Sequence, residues 1–335
     1  MDIFKLTKRL LYLGVFHLFL AGCTETENIA VKNNQPPNYK GVSTLRVENY
    51  VQRMFIDLLG REATETERIS FTNQLKLAEL HDSCRQRLVN MLMFDTTYRL
   101  GDSSYRHAFA QRIYDISKAR FLEGASDPSI AQFIGNLNFG ITVARLNGDS
   151  LGVYRNIDAK NKYFDVLNSR YLFRKRIKDY RNICAVMMNN SIYDGINMNS
   201  FNYINAVFDN CLLRNPTKDE FDRSYTIIEK NAPAAIFSRW AANKNEYCDA
   251  VVNSDAFHEA QIRWFYYVLL QREATTAEVS KLFHAFYQSH QIEQVIKIVI
   301  IGYEYAQFYV ASMVDLWIIV VHFSMHKGAN YWLRG

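Results

Sequence analysis

Apolar residues recur every three or four positions along most of the chain, as they do on the buried face of an α-helix. Tyr50, Met54 and Leu58 form one such face, and Tyr105 and Phe109 begin another. Pro and Gly are sparse, with 5 and 14 residues. Few turn residues disfavour a sandwich of many short strands. The pattern therefore predicts an all-α fold.

One stretch of this pattern occurs three times, at residues 54–67, 207–220 and 265–278. The first reads MFIDLLGREATETE and the last reads FYYVLLQREATTAE, while the middle copy, VFDNCLLRNPTKDE, keeps the Leu, Arg, Thr and Glu in register. In each copy an apolar helix ends at a tight corner that carries an arginine. We interpret these arginines as structural: Arg61, Arg214 and Arg272.

Each corner is followed by a threonine with a glutamate three positions on. This spacing predicts a capping box, in which the Thr hydroxyl accepts from one backbone amide and the Glu carboxylate from another. The three predicted boxes are Thr64/Glu67, Thr217/Glu220 and Thr275/Glu278.

A second and a third helix are predicted after each corner, and the third closes on an aromatic residue. A unit of three helices cannot bury its apolar faces alone, so stacking is expected, as a helical bundle or a short solenoid. The predicted third helices cover residues 88–98, 247–257 and 292–305. The predicted regions are 45–123 (first unit and the following helix), 124–200 (helical middle region) and 201–335 (second and third units with an apolar C-terminal helix).

The middle region is the least regular part of the pattern. Ser126-Asp127-Pro128 predicts a helix start. Four glycines then predict interruptions of the stretch that follows: Gly135, Gly140, Gly148 and Gly152.

The Leu58-Leu59-Gly60-Arg61-Glu62 run, the Thr64 cap and the closing aromatic helix resemble the repeat domains of unknown function in secreted and surface bacterial proteins. They are more distantly similar to the linker repeat of phycobilisomes and to helical domains that accompany planctomycete secreted cytochromes. The resemblance implies a helical fold and transfers no catalytic residue. The copy around Arg214 departs from it, because it lacks the Gly and the following Glu, and the chain has no haem motif.

The N-terminus has a basic start (Lys5, Lys8 and Arg9) and an apolar run over residues 10–20, which is too short to span a bilayer. These features are typical of a secretory signal. The run ends in Leu20-Ala21-Gly22-Cys23, which resembles the lipobox of bacterial lipoproteins. The resemblance implies cleavage after residue 22 and acylation of Cys23. A soluble secreted protein, or a short buried helix before a cysteine, is the alternative.

Thr24 follows the lipobox cysteine, and in lipoproteins a residue other than Asp at this position favours the outer membrane. Residues 23–44 are polar, contain Pro36-Pro37 and lack periodicity, so we expect a lipidated cysteine followed by a flexible, disordered tether. The expected membrane partner is lipid, reached through Cys23, and the side of the membrane that the protein faces stays open.

About half of the chain, 49%, is hydrophobic, so a sizeable core is expected. Loss of residues 1–22 removes three bases and one acid and lowers the net charge from +5 to +3, which argues against a nucleic-acid partner. Cys84, Cys184, Cys211 and Cys248 show no CxxC spacing. Although an oxidising envelope permits disulfides, we predict buried, unpaired thiols.

A basic run, residues 170–181, invites a functional interpretation. It could bind lipid headgroups or an acidic polymer. The alternative, a solvated helix face, is favoured by its interspersed apolar residues.

No metal site or cofactor is predicted. His258-Glu259 begins the HExxH motif of zinc proteases, but Ile262 stands where the second His is needed. His284 and His290 lack ligand spacing, and His322 lies within an apolar segment at residues 316–323, which is interpreted as a terminal core helix or a partner-docking helix.

Catalytic motifs are missing too, among them a nucleophile elbow, a P-loop and the Glu-Ser segment of lytic transglycosylases. The aromatics at Phe283, Phe286 and Tyr287 have helical spacing, which favours a core over a glycan platform. The sequence therefore predicts a non-enzymatic scaffold or protein-interaction lipoprotein at the outer membrane. A glycan-binding surface lipoprotein is the first alternative and an unrecognised envelope enzyme the second.

Overall fold

The computed structural model describes residues 41–308, and in that part the all-α prediction is confirmed, with fifteen helices and one short β-hairpin. The predicted signal peptide, Cys23, most of the tether and the apolar segment with His322 lie outside the described residues. The helices are α1 (Thr44–Leu59), α2 (Glu65–Leu77), α3 (Asp82–Phe94), α4 (Tyr105–Phe121), α5 (Asp127–Leu146), α6 (Ser150–Arg174), α7 (Tyr180–Met188), α8 (Ser191–Asn197), α9 (Ser200–Leu212), α10 (Lys218–Ile228), α11 (Lys244–Val252), α12 (Asp255–Leu270), α13 (Thr276–Ser289), α14 (Ile292–Ile301) and α15 (Tyr303–Ala306). The strands are β1 (Ala234–Ile236) and β2 (Arg239–Ala241).

Helix α1 begins at Thr44, so the last residues of the predicted tether already belong to the folded body. Val42 is already buried, and the Ser43 hydroxyl accepts from the Arg46 amide as the N-cap. At its other end, α1 stops at Gly60, whose φ of +74° is the left-handed conformation that glycine adopts readily. A Cβ at this position would lie 3.3 Å from Cδ of Arg112, so the site also favours a small residue.

The three repeat units are α1–α3, α9–α11 and α12–α15. Their third helices end earlier than predicted, because each meets a local stop. Helix α3 ends before the extended residue Asp95, α11 ends before Ser254 caps α12, and Gly302 separates α14 from α15. The second unit also contains an antiparallel hairpin that the sequence did not reveal, with Ala235 opposite Trp240.

The first and third units pack against each other, although they lie at opposite ends of the described chain. The Tyr50 hydroxyl donates to the Ile300 carbonyl at 3.2 Å, and the Tyr305 hydroxyl donates to Asp57 at 2.7 Å. One apolar cluster runs from Val42 to Phe308. The units therefore share a single core, which favours a bundle over an open solenoid.

Arg106 of α4 fixes three helices from inside this core. Its side chain donates to the carbonyls of Met93, Phe173 and Arg174 and pairs with Glu293 at 3.2 Å. Arg106 is 2% exposed and Glu293 is 8% exposed. A buried charge of this kind is tolerated because the ion pair and the carbonyls compensate for its lost hydration.

The four cysteines of this part, Cys84, Cys184, Cys211 and Cys248, are buried and free, as predicted. Burial is the main cause that raises the pKa of Cys248 to about 11, so this thiol stays protonated at neutral pH.

Candidate functional site

Helices α5 and α6 form an antiparallel hairpin, and its outer part, residues 138–162, contributes nothing to the shared core. We call these residues the arm. Below the arm, the hairpin joins the core through Ile130 and Ile134 of α5 and Tyr163 and Val166 of α6. The arm is therefore held by its base.

Local sequence explains why the hairpin forms. The Ser126 hydroxyl caps α5 by accepting from the Ser129 amide at 3.2 Å, and Asp149 caps α6 by accepting from Gly152 at 2.8 Å. Gly148 turns the chain between the helices with a φ of +68°. A Cβ on Gly140 would lie 3.2 Å from Nδ2 of Asn156, so this glycine permits close helix packing.

Three of the four predicted glycine interruptions are therefore wrong, since Gly135 and Gly140 lie inside α5 and Gly152 lies inside α6. Gly152 lies in the first turn of α6, and only Gly148 is at the break. Tertiary packing of α5 on α6 overrides the weak helix propensity of glycine here.

Several large apolar side chains are exposed on the arm. Phe139, Leu146 and Tyr154 are each more than 70% exposed, and Val143 and Leu151 are also exposed. Phe139, Val143 and Leu146 follow the spacing of a single helix face. Clustered apolar groups on a protein surface are typical of interaction sites.

Charge is scarce on the same helix. Asp127 and Arg145 are the only charged residues of α5, so residues 128–144 carry none. Near the turn, Arg145 and Arg155 make no ion pair within residues 41–308, and Asp149 is occupied as a cap. Surface helices usually present charged groups to water, and the uncharged run is the sequence signal that would have identified the arm.

The basic run at 170–181 does not form one helix face. It crosses the end of α6, a loop and the start of α7. Arg170 pairs with Asp127 at 2.6 Å and Arg181 pairs with Asp179 at 2.6 Å, so these two arginines serve local structure. The other bases of the run make no ion pair within the described residues: Arg174, Lys175, Arg176 and Lys178.

The repeat corners share one geometry around their arginines. Each guanidinium donates to the next residue's carbonyl, binds the capping-box glutamate and lies over an aromatic ring six residues earlier. Arg61 does so with Glu62, Glu67 and Phe55. The equivalent partners are Asn215, Glu220 and Phe208 for Arg214, and Glu273, Glu278 and Tyr266 for Arg272.

All three capping boxes are present, at Thr64/Glu67, Thr217/Glu220 and Thr275/Glu278. Two corners gain a second acid, because Arg61 also binds Asp102 and Arg272 also binds Glu304. Hydrogen bonds from Arg272 are the main cause that lowers the pKa of Glu278 to about 2. The corner residues therefore hold helices together and are not free for a ligand.

The histidines form a structural contact. His258 is fully buried, and its Nδ1 lies 2.8 Å from the Ser254 carbonyl while its Nε2 lies 3.1 Å from Nδ1 of His290. Burial lowers the pKa of both rings. His284 is exposed on α13. Among residues 41–308, no three potential ligands are grouped as a metal site would require.

The three aromatics of the candidate glycan platform are not equally exposed: Phe286 is buried, Phe283 packs against the core and Tyr287 is partly exposed. No helix within residues 41–308 has both the length and the apolar character needed to cross a bilayer.

Comparison of the chain with protein-family models, curated proteins and solved structures finds no match.

Proposed function

We propose that this protein is a non-catalytic, lipid-anchored scaffold of the bacterial outer membrane that binds an envelope protein through its arm. The observation that carries the proposal is the set of exposed apolar side chains on residues 138–162, where α5 presents Phe139 and Val143 to water and carries no charge before Arg145. The lipobox resemblance supports the anchor, with Cys23 as the acylated residue. The resemblance to secreted helical repeats is compatible with an extracytoplasmic body.

The arm is suited to a protein partner because it presents a preformed apolar helix face. Such faces bind in grooves or add to helix bundles, with anchors spaced as Phe139, Val143 and Leu146 are. Since the hairpin is already folded, binding would order few groups and lose little conformational entropy.

Glycan binding is the second candidate, favoured by the exposed rings of Phe139 and Tyr154. Aromatic rings stack on sugar rings, but the exposed aliphatic residues between them, Val143, Leu146 and Leu151, offer no hydrogen bond. The mixture of aromatic and aliphatic groups therefore favours a protein over a glycan as the partner of the arm.

Photo-crosslinking in intact cells tests the proposal. A photoreactive amino acid replaces Phe139 or Leu146, and a control replaces Ile69, an exposed apolar residue of α2 in the body. We expect one envelope protein to be recovered by mass spectrometry from the arm positions only. Recovery of polysaccharide alone would favour glycan binding over a protein partner. Equal recovery from all positions would contradict the arm as the binding surface.

The anchor is tested separately by labelling growing cells with radioactive palmitate. We expect label in the wild-type chain and none in Cys23→Ala. Labelling that survives in Cys23→Ala would refute the lipobox assignment without affecting the test of the arm.

A further inference from the structure

A groove of about 280 Å³ lies between α4 and α6 at the base of the arm. His107 of α4 and Arg170 and Arg174 of α6 line it. Arg170 and Arg174 are four positions apart on one helix, so both project to the same side. The remaining polar lining consists of Gln111, Asn168 and Tyr171.

Arg170 is held in a fixed orientation. Its Nη1 donates to Asp127 at 2.6 Å and to Oε1 of Gln111 at 3.0 Å. Gln111 is held in turn, because its amide donates to Asp115 at 3.0 Å. The guanidinium is therefore preorganised, with little conformational freedom left to lose on binding a ligand.

Arg174 is positioned by neutral groups alone. Its guanidinium lies 5.2 Å from the Tyr171 ring centroid and its Nη1 contacts Nδ1 of His107. Its backbone carbonyl accepts from Arg106 at 3.1 Å, which fixes the end of α6. Within residues 41–308, Arg174 has no carboxylate partner, so its charge is not neutralised.

The surroundings strengthen the positive potential. Lys175 follows Arg174 directly and also lacks an ion pair among the described residues, whereas Asp127 is shared between Lys118 and Arg170. Burial, Arg174 and Arg170 all lower the pKa of His107. With Nδ1 accepting from Arg174, the neutral ring carries its proton on Nε2 and offers another donor.

We infer that the groove binds a phosphate group, held by Arg174 and Arg170 with His107 as a further donor. Paired guanidinium groups match the oxygen geometry of phosphate, and an anion would neutralise the unpaired charge. The same chemistry is offered by free inorganic phosphate and by the phosphodiester of a phospholipid headgroup. The inference is independent of the scaffold proposal.

Isothermal titration calorimetry on the detergent-solubilised full chain tests the inference, with inorganic phosphate and with glycerophosphoglycerol, a headgroup diester without acyl chains. We expect saturable binding of one of them. Arg174→Gln should weaken it roughly tenfold to hundredfold, as loss of a charged hydrogen bond does. Arg155→Gln is the matched control, since Arg155 lies on the same helix, is exposed and makes no ion pair among residues 41–308.

The outcomes separate the two sources. Tighter binding of inorganic phosphate assigns free phosphate, and tighter binding of the diester assigns a lipid headgroup. Absence of binding with both probes, or equal weakening by Arg155→Gln and Arg174→Gln, overturns the inference. Circular dichroism checks folding, and Arg174→Lys, which keeps the charge but not the planar fork, should fall between the wild type and Arg174→Gln. In NMR titrations, the bound anion should raise the pKa of His107.

Discussion

The repeat corners and the arm are both built from helices, but they use their surfaces in opposite ways. At a corner such as that of Arg272, every strong polar group has a partner, including Glu278 and Glu304. On the arm, apolar groups such as Leu146 face water, and α5 carries no charge between Asp127 and Arg145. The side chains of the corners stabilise the fold, whereas the exposed side chains of the arm are available for binding.

This difference predicts that substitutions at the core and corners reduce stability, whereas substitutions on the arm reduce binding. At the base of the arm a substitution should affect both stability and binding, because Arg106 connects the end of α6 to α3 and α14.

The largest effect is expected for Arg106→Met. The change leaves the Glu293 carboxylate buried without its partner and removes donors from the carbonyls of Phe173 and Arg174. We expect a loss of about 3–5 kcal/mol in the free energy of unfolding, measured with urea. Arg155→Met on α6 should change it by less than about 0.5 kcal/mol. A loss below about 1 kcal/mol for Arg106→Met would contradict the bridging role.

A smaller effect is expected for Thr275→Ala, which removes the side chain that accepts from the Glu278 amide. We expect a loss of about 1 kcal/mol, as for other helix N-caps. Thr276→Ala, one position on and exposed, is the matched control and should be near neutral. Equal losses from the two variants would show that the cap is not what stabilises the corner.

Acid should destabilise the protein in two ranges of pH. The folded-state pKa of His258 is lowered, so the unfolded chain binds the proton more readily and stability falls as the pH drops below about 6.5. The pKa of Glu220 and Glu278 falls to about 2, so their contribution is present above about 4.5 and is lost between there and about 2. Unfolding curves from pH 8 to 2 measure both ranges, and His258→Gln should reduce the pH dependence only in the upper one.

The smallest effect on stability is expected for Leu146→Ser, because the side chain is exposed and outside the core. The free energy of unfolding should stay within about 0.5 kcal/mol of the wild type, while recovery of the crosslinked partner falls. Ile141→Ser, which alters a buried position of the same hairpin, should instead loosen the arm. A partner recovered equally from Leu146→Ser and the wild type would remove the arm from the interface.

The parts of the fold that the sequence predicted are local. The box at Thr64 and Glu67 spans three residues, so its spacing alone identifies it. The second acid of the same corner, Asp102, lies 41 positions from Arg61, and no local pattern connects them. The interruption predicted at Gly140 is wrong for the same reason, because the packing of this glycine depends on Asn156 of α6, 16 positions away.

The packing of the first unit on the third brings the entry and exit of the described chain together. Val42 and Phe308 line one cavity, together with Leu80 and Tyr303. Residues 42 and 308 therefore lie close together, and proteins in which two such points are close often tolerate circular permutation. A short linker joining these two points, with new termini opened at the exposed turn of Gly148, would leave the core contacts intact and turn the arm into a pair of free ends.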